Sequence, residues 1–154
     1  MDTNTIKIKG KVRLQQFRDS VRIKDTGFLE NIITNAGKAQ IALLAGDATA
    51  VPFTYLALGT SATAVAATDT TLGAEITDTG LARSLATVSR VSTSVTNDTL
   101  SLVFTWTATG IKTIQETGIF NASSSGTMLA HKLTSAITTA NNDLVQIIYT
   151  IQFS

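Results

Sequence analysis

A chain of 154 residues with 44% apolar and 15% charged side chains is long enough to bury a hydrophobic core and too apolar to be a disordered linker. It has one proline and no cysteine, so disulfides and cysteine-based metal sites are excluded. No apolar run approaches the ~20 residues of a membrane span, and the polar start Met1-Asp2-Thr3-Asn4 does not read as a signal peptide.

The net charge of +1 conceals an asymmetry. Residues 1–24 carry seven basic and two acidic side chains, whereas residues 25–154 carry five basic and nine acidic ones. A basic N-terminal segment therefore precedes a mildly acidic body. Threonine, at 27 residues, is the outstanding component, and with valine and isoleucine it favours extended, half-buried backbone.

In chain order, Ile6, Ile8, Val12 and Leu14 alternate with Lys7, Lys9, Lys11 and Arg13, the period-two pattern of a strand with one apolar and one basic face. Val21 and Ile23 alternate with Arg22 and Lys24 likewise, and Gln15–Ser20 is expected to be the loop of this N-terminal hairpin. Thr34 or Asn35 caps an expected helix over Ala36–Leu44 closed by Gly46. Gly37 weakens it, so it should form by packing Ile41 and Leu44 on a sheet. Phe53–Leu58 reads as a short buried strand, and residues 60–80 as a long loop with one helical turn near Thr70–Glu75.

Loops of this length are usually functional or packed on a partner. Ala82–Val95 reads as a strand ended by the turn Asn97-Asp98. Leu100, Leu102, Phe104, Trp106 and Ala108 share one face of the next strand. Ile114–Asn121 and Met128–Leu133 form a hairpin around Ser123–Gly126. Val145, Ile147, Tyr149, Ile151 and Phe153 share a face of the last strand, after Asn141-Asn142-Asp143. Seven or eight strands at short intervals indicate a mainly all-β fold, an antiparallel β-sandwich of jelly-roll or Greek-key type with one short inserted helix. The expected organisation is one domain over 1–154, with a hairpin arm at 1–24 and the sandwich body at 25–154.

Catalytic chemistry finds little to stand on. His131 is the single histidine, expected to be a surface or partly packed imidazole. Glu116 has no second carboxylate near it in sequence and is read as a structural acceptor for backbone N–H groups or an arginine. Gly118 marks a bulge or a close backbone approach. No phosphate-binding glycine loop, nucleophile elbow or calcium loop is present. The residues point to no enzyme, no metal and no cofactor.

Three segments carry a family resemblance. Ile114-Gln-Glu116-Thr-Gly118-Ile-Phe-Asn-Ala122, with a small-residue turn and Met128-Leu-Ala130, is one. Asn31-Ile-Ile-Thr-Asn-Ala-Gly-Lys-Ala39 is another. Phe53-Thr-Tyr-Leu-Ala-Leu-Gly-Thr60 followed by Ala67-Thr-Asp-Thr-Thr-Leu-Gly-Ala-Glu75 is the third. In this order they resemble small virion structural proteins of tailed bacteriophages. The resemblance implies a virion component, assembled in the host cytoplasm, that forms a homo-oligomer, with a trimer among the orders it allows. The first expectation is a capsid decoration, or cement, subunit bound to the major capsid protein. The alternative is a tail-fibre or baseplate attachment protein bound to other tail proteins. A more distant one is a glycan-binding sandwich for host adsorption, disfavoured because Trp106 alternates with core positions.

Lys7, Lys9, Lys11, Arg13, Arg22 and Lys24 are the candidate partner-docking residues, suited to an acidic protein surface. A plainer reading gives these lysines the task of preventing edge pairing. Nucleic acid is disfavoured, because no stacking aromatics interleave with the cations. No membrane partner is expected.

Overall fold

Strands dominate the computed structural model, which describes residues 5–154. Met1–Asn4, the first residues of the expected arm, lie outside the described residues. Two antiparallel sheets share one apolar core. The first has the order β2 (Val21–Asp25), β1 (Ile8–Arg18), β11 (Leu144–Phe153), β8 (Thr99–Thr107), β7 (Thr87–Val91), with β3 (Leu29–Glu30) paired to β1. The second has the order β4 (Ile32–Ile33), β10 (Met128–Thr138), β9 (Thr113–Phe120), β5 (Tyr55–Gly59), β6 (Ser84–Leu85). Val12, Leu102, Ile147 and Tyr149 from the first meet Leu56, Ile114, Ile119 and Leu129 from the second. The β8–β11 pair lies in one sheet and the intervening β9–β10 pair in the other. Two antiparallel sheets packed face to face, with this long hairpin folded across them, make the mainly all-β sandwich expected from the sequence. Among the described residues, no helix is long and apolar enough to cross a membrane.

The alternating patterns of β8 and β11 fold as read. Leu102, Trp106, Val145, Ile147, Tyr149 and Ile151 are buried, while Phe104 is half-buried and meets Trp106 edge-on at 4.8 Å. The N-terminal hairpin forms too, but its first strand is part of the body: β1 pairs with β11 from Ile8 to Phe17, and Val12 and Leu14 are fully buried.

The Gln15–Ser20 loop is a correction. β1 continues to Arg18 and the turn is Asp19-Ser20 alone, both at positive φ (49° and 65°), as a tight two-residue hairpin requires. The strand runs on because its polar end has a buried partner. Asp143 accepts from Gln16 Nε2 at 2.7 Å and from Arg18 through two bonds at 2.8 Å.

Two further expectations are corrected. Ala82–Val95 is not one strand: the chain changes sheets at the buried Ala86, with β6 in one sheet and β7 in the other. No helical turn forms at Thr70–Glu75. The chain there is irregular because its backbone N–H groups bond to a side chain, as described below.

The inserted helix α1 (Asn35–Gly46) is capped by Thr34, whose Oγ1 accepts from Gly37 N at 2.8 Å and donates to Met128 O at 2.5 Å. Ile41 and Leu44 pack on the core. Gly37 is a contact residue as well as a weak helix former. A Cβ there would lie 2.7 Å from Leu129 Cα and 2.8 Å from Leu129 O, so its absence lets the helix rest on β10.

Candidate functional site

Along β9 the side chains divide between two faces. Ile119 enters the main core, whereas Phe120 joins Ala57, Met128 and Leu72 in a second apolar cluster on the outer face of the same sheet. Leu72 comes from the loop between β5 and β6. That loop therefore lies across the sheet and covers the face it would otherwise expose. Gly118 makes the room: a Cβ there would be 3.1 Å from Leu72 Cδ2 and 3.0 Å from Ala130 O.

Glu116, two residues earlier and completely buried, fastens the loop. Its Oε1 accepts from Ala74 N at 2.8 Å and Ser61 N at 3.3 Å, and its Oε2 accepts from Gly73 N at 3.0 Å. Oε2 also lies 2.8 Å from His131 Nε2, while His131 Nδ1 lies 2.8 Å from Asp69 Oδ2. Asp69 Oδ2 accepts from Ala66 N as well. The backbone completes the attachment, with Thr60 N donating to Ala74 O, Ile76 N to Leu58 O and Asn35 N to Ala67 O. Gly59 is needed here, since a Cβ would fall 2.3 Å from Glu116 Oε1.

The charge state follows from the partners. Carboxylates only accept, so an imidazole between two of them satisfies both bonds only with both nitrogens protonated. Burial pushes the His131 pKa down, but hydrogen bonds and charge from Glu116 and Asp69 outweigh it and leave the pKa raised. Burial raises Glu116, and its bonds to His131, Ala74 and Gly73 overcome this and hold it below the usual carboxylate range. Asp69 is lowered by the Ala66 N–H, against burial, with help from His131. The arrangement is an imidazolium clamped between two carboxylates.

A hollow of about 370 Å³ beside this cluster is lined by Ser61, Thr63, Asp69 and Thr71 among others. It does not assemble a nucleophile. Ser61 Oγ accepts from Thr63 N, and both His131 nitrogens are occupied, so the imidazole has no free nitrogen with which to take a hydroxyl proton. Among the described residues, no group of three or more histidine, cysteine or acidic side chains is placed to hold a metal ion.

A second attachment closes the same loop. Arg83 makes two bonds to Glu75, at 2.8 and 2.6 Å, and donates to Ala122 O and Ser125 O. Its guanidinium lies 3.6 Å from the centroid of Phe120.

The Glu-x-Gly pattern and the Asp69, Leu72 and Glu75 positions of the other segment thus meet in space: Glu116 and Asp69 through His131, Gly118 against Leu72, and Glu75 through Arg83. Glu116 takes backbone N–H groups as the sequence indicated. His131 is a correction, because it is buried and bonded at both nitrogens rather than at the surface or only partly packed. Sequence reasoning missed Asp69, Arg83 and Glu75. The signal available for Asp69 and Glu75 was their place in the resembling segment; for Arg83 there was none.

The six candidate docking residues divide. Lys7, Lys9, Lys11 and Lys24 are exposed and form no ion pair among the described residues. Arg13 is bonded to Asp25 at 2.9 and 2.5 Å and lies 5.7 Å from the Phe28 ring centroid, and Arg22 shares the same Asp25 at 3.2 Å.

The sequence of residues 31–152 matches the family model described as Podophage GP4 fiber I protein gp80. The match contains β5, the covering loop and all of the clasp. No curated protein matches, and no solved structure matches.

Proposed function

The chain belongs to the Podophage GP4 fiber I protein gp80 family, and from that premise we propose that it is a non-enzymatic structural subunit of a tail fibre. A tailed-phage virion structural protein of fibre type is what the family match supports, and the match over 31–152 is the observation that carries the reading. It favours the tail alternative over capsid decoration, since the family is described by a fibre. The clasp agrees with a structural role: its acid, base and hydroxyl groups bind one another and the backbone, and hold a loop on a sheet.

The subunit acts as one folding unit over its length, assembles in the host cytoplasm, and binds other tail components and copies of itself in closed cyclic symmetry, the usual arrangement of homo-oligomers. Glycan recognition through tryptophan finds no support, since Trp106 is 2% exposed and donates Nε1–H to Ala82 O and Ser84 Oγ.

Gold-labelled antibody against the chain, imaged on purified particles by electron microscopy, tests the reading. Label confined to the tail is expected. Label spread over the shell would restore the decoration reading, and an unlabelled particle would remove the virion assignment.

A further inference from the structure

The internal pairing of charges leaves an imbalance that the net charge hides. Asp25, Asp69, Glu75, Asp78, Glu116 and Asp143 each bind a basic side chain of their own chain. Asp98 is taken by the N–H groups of Thr93, Ser94 and Val95. Among the described residues this leaves Asp19, Glu30 and Asp47 as the carboxylates without such a partner. On the basic side, Lys7, Lys9, Lys11, Lys24, Lys38 and Arg90 are all exposed and have no ion pair with a described residue.

Lys9, Lys11 and Lys38 lie close together, and Lys7 continues the row, its backbone paired with Ser154. Lys9, Lys11 and Lys38 line one hollow of about 360 Å³, with Glu30 and Asn31 also on its wall. On the other flank Lys9 and Lys11 border a smaller hollow of about 100 Å³ walled by Thr99, Thr150 and Gln152. Glu30 stands opposite Lys11 in the β1–β3 register, yet among the described residues no carboxylate forms an ion pair with Lys11. Alternate residues of a strand are ~7 Å apart, so Lys7, Lys9 and Lys11 form a charged row matching alternate side chains of an extended segment.

We propose that the Lys7–Lys9–Lys11 row and Lys38 dock an acidic polypeptide segment of a neighbouring virion protein, an inference that rests on the fibre reading. The counter-charge comes from another molecule, because the subunit has used most of its own carboxylates internally; a second copy offers few. A polypeptide fits better than nucleic acid. No aromatic side chain lines either hollow for a base to stack on, and the lysines are backed by threonine hydroxyls and the Gln152 amide. Lysine charges on a rim orient a partner and speed its arrival more than they deepen affinity.

The test uses purified virions and the isolated chain. Lysine acetylation is compared site by site, and a zero-length carbodiimide links lysines to adjacent carboxylates for identification by mass spectrometry. Lys9, Lys11 and Lys38 are expected to be protected in the particle while Lys24 reacts equally in both states, with links to Asp or Glu of a different virion polypeptide. Phage carrying Lys9→Glu with Lys11→Glu should incorporate the chain at least about tenfold less, since like charges would then face each other.

Equal acetylation in both states, with the chain present in the particle, overturns the docking surface and leaves the lysines an edge-protecting role. Links only to copies of the same chain overturn the proposed partner in favour of self-association, and protection removed by nuclease overturns it in favour of nucleic acid. Absence of the chain from the particle overturns the fibre reading and the docking surface together.

Discussion

Replacing Glu116 by glutamine keeps the shape of the side chain and removes its charge. The carboxylate accepts four bonds, two at each oxygen: Ser61 N and Ala74 N at Oε1, Gly73 N and His131 Nε2 at Oε2. An amide has one oxygen. If it serves Ser61 and Ala74, the NH2 group faces the Gly73 N–H and His131 Nε2. His131 can then lose its Nε2 proton and accept from the amide, keeping Nδ1–H on Asp69, but Gly73 N–H is left against a donor.

An orphaned buried donor costs about 1–3 kcal/mol, and converting charge-assisted bonds to neutral ones removes about another 1 kcal/mol. For Glu116→Gln we expect a loss of about 3 kcal/mol, which in a chain of this size lowers Tm by about 6–12 °C. The loss should be concentrated in the loop. Hydrogen exchange followed by mass spectrometry should show residues 60–75 losing protection while β8 and β11 keep theirs below the melting range. Wild-type Tm together with wild-type exchange in the loop would refute the clasp.

Gly37→Ala gives a test of sign. In an exposed helix it would stabilise by about 1 kcal/mol. Here the Cβ meets the Leu129 backbone, so urea denaturation should show destabilisation by about 1–3 kcal/mol; any gain would contradict the close packing of α1 on β10.

The clasp should also respond to pH in both directions. The His131 pKa is raised above its usual 6.5, so its contribution is complete below 6.5 and is lost as pH rises through the raised value. Glu116 and Asp69 lie below their usual 4.5 and 3.8, so theirs is complete above those values and is lost as pH falls through the lowered ones. Loop protection, corrected for intrinsic exchange, should be greatest from about pH 5 to 6.5 and fall on either side. Protection that kept rising to pH 9 would speak against the imidazolium.

Asp143→Asn should destabilise by about 2–3 kcal/mol through weakened bonds from Gln16, Arg18 and Ala140 N, and chemical denaturation measures it. An unchanged midpoint would show that β1 needs no anchor at its polar end.

The framework was legible wherever one physical signal dominated. β8 and β11 each bury one face against the opposite sheet, so alternation alone identified Leu102, Trp106, Ile147 and Tyr149. The helix was legible from its cap and from Ile41 and Leu44. Other features depended on contacts that local sequence does not record. Asp69 and His131 are 62 residues apart and meet through the return of the loop over β10.

Asp69, Leu72 and Glu75 have the three-residue spacing of a helix face, which favours reading a turn there. In the fold they reach three separate partners, and Glu116 holds the backbone groups that a helical turn would use. The run Ala82–Val95 has strand composition throughout, and only the tertiary arrangement reveals its change of sheet at Ala86. Arg18 and Arg22 look alike in sequence, yet Arg18 binds the buried Asp143 while Arg22 shares the more exposed Asp25 with Arg13.

Subunit copy number, by quantitative mass spectrometry of purified particles against the major capsid protein, tests the fibre assignment most directly. A tail component built on closed cyclic symmetry should be present in roughly a dozen to a few dozen copies per particle. A number in the hundreds, approaching that of the capsid protein, would contradict the fibre assignment and return the chain to the shell.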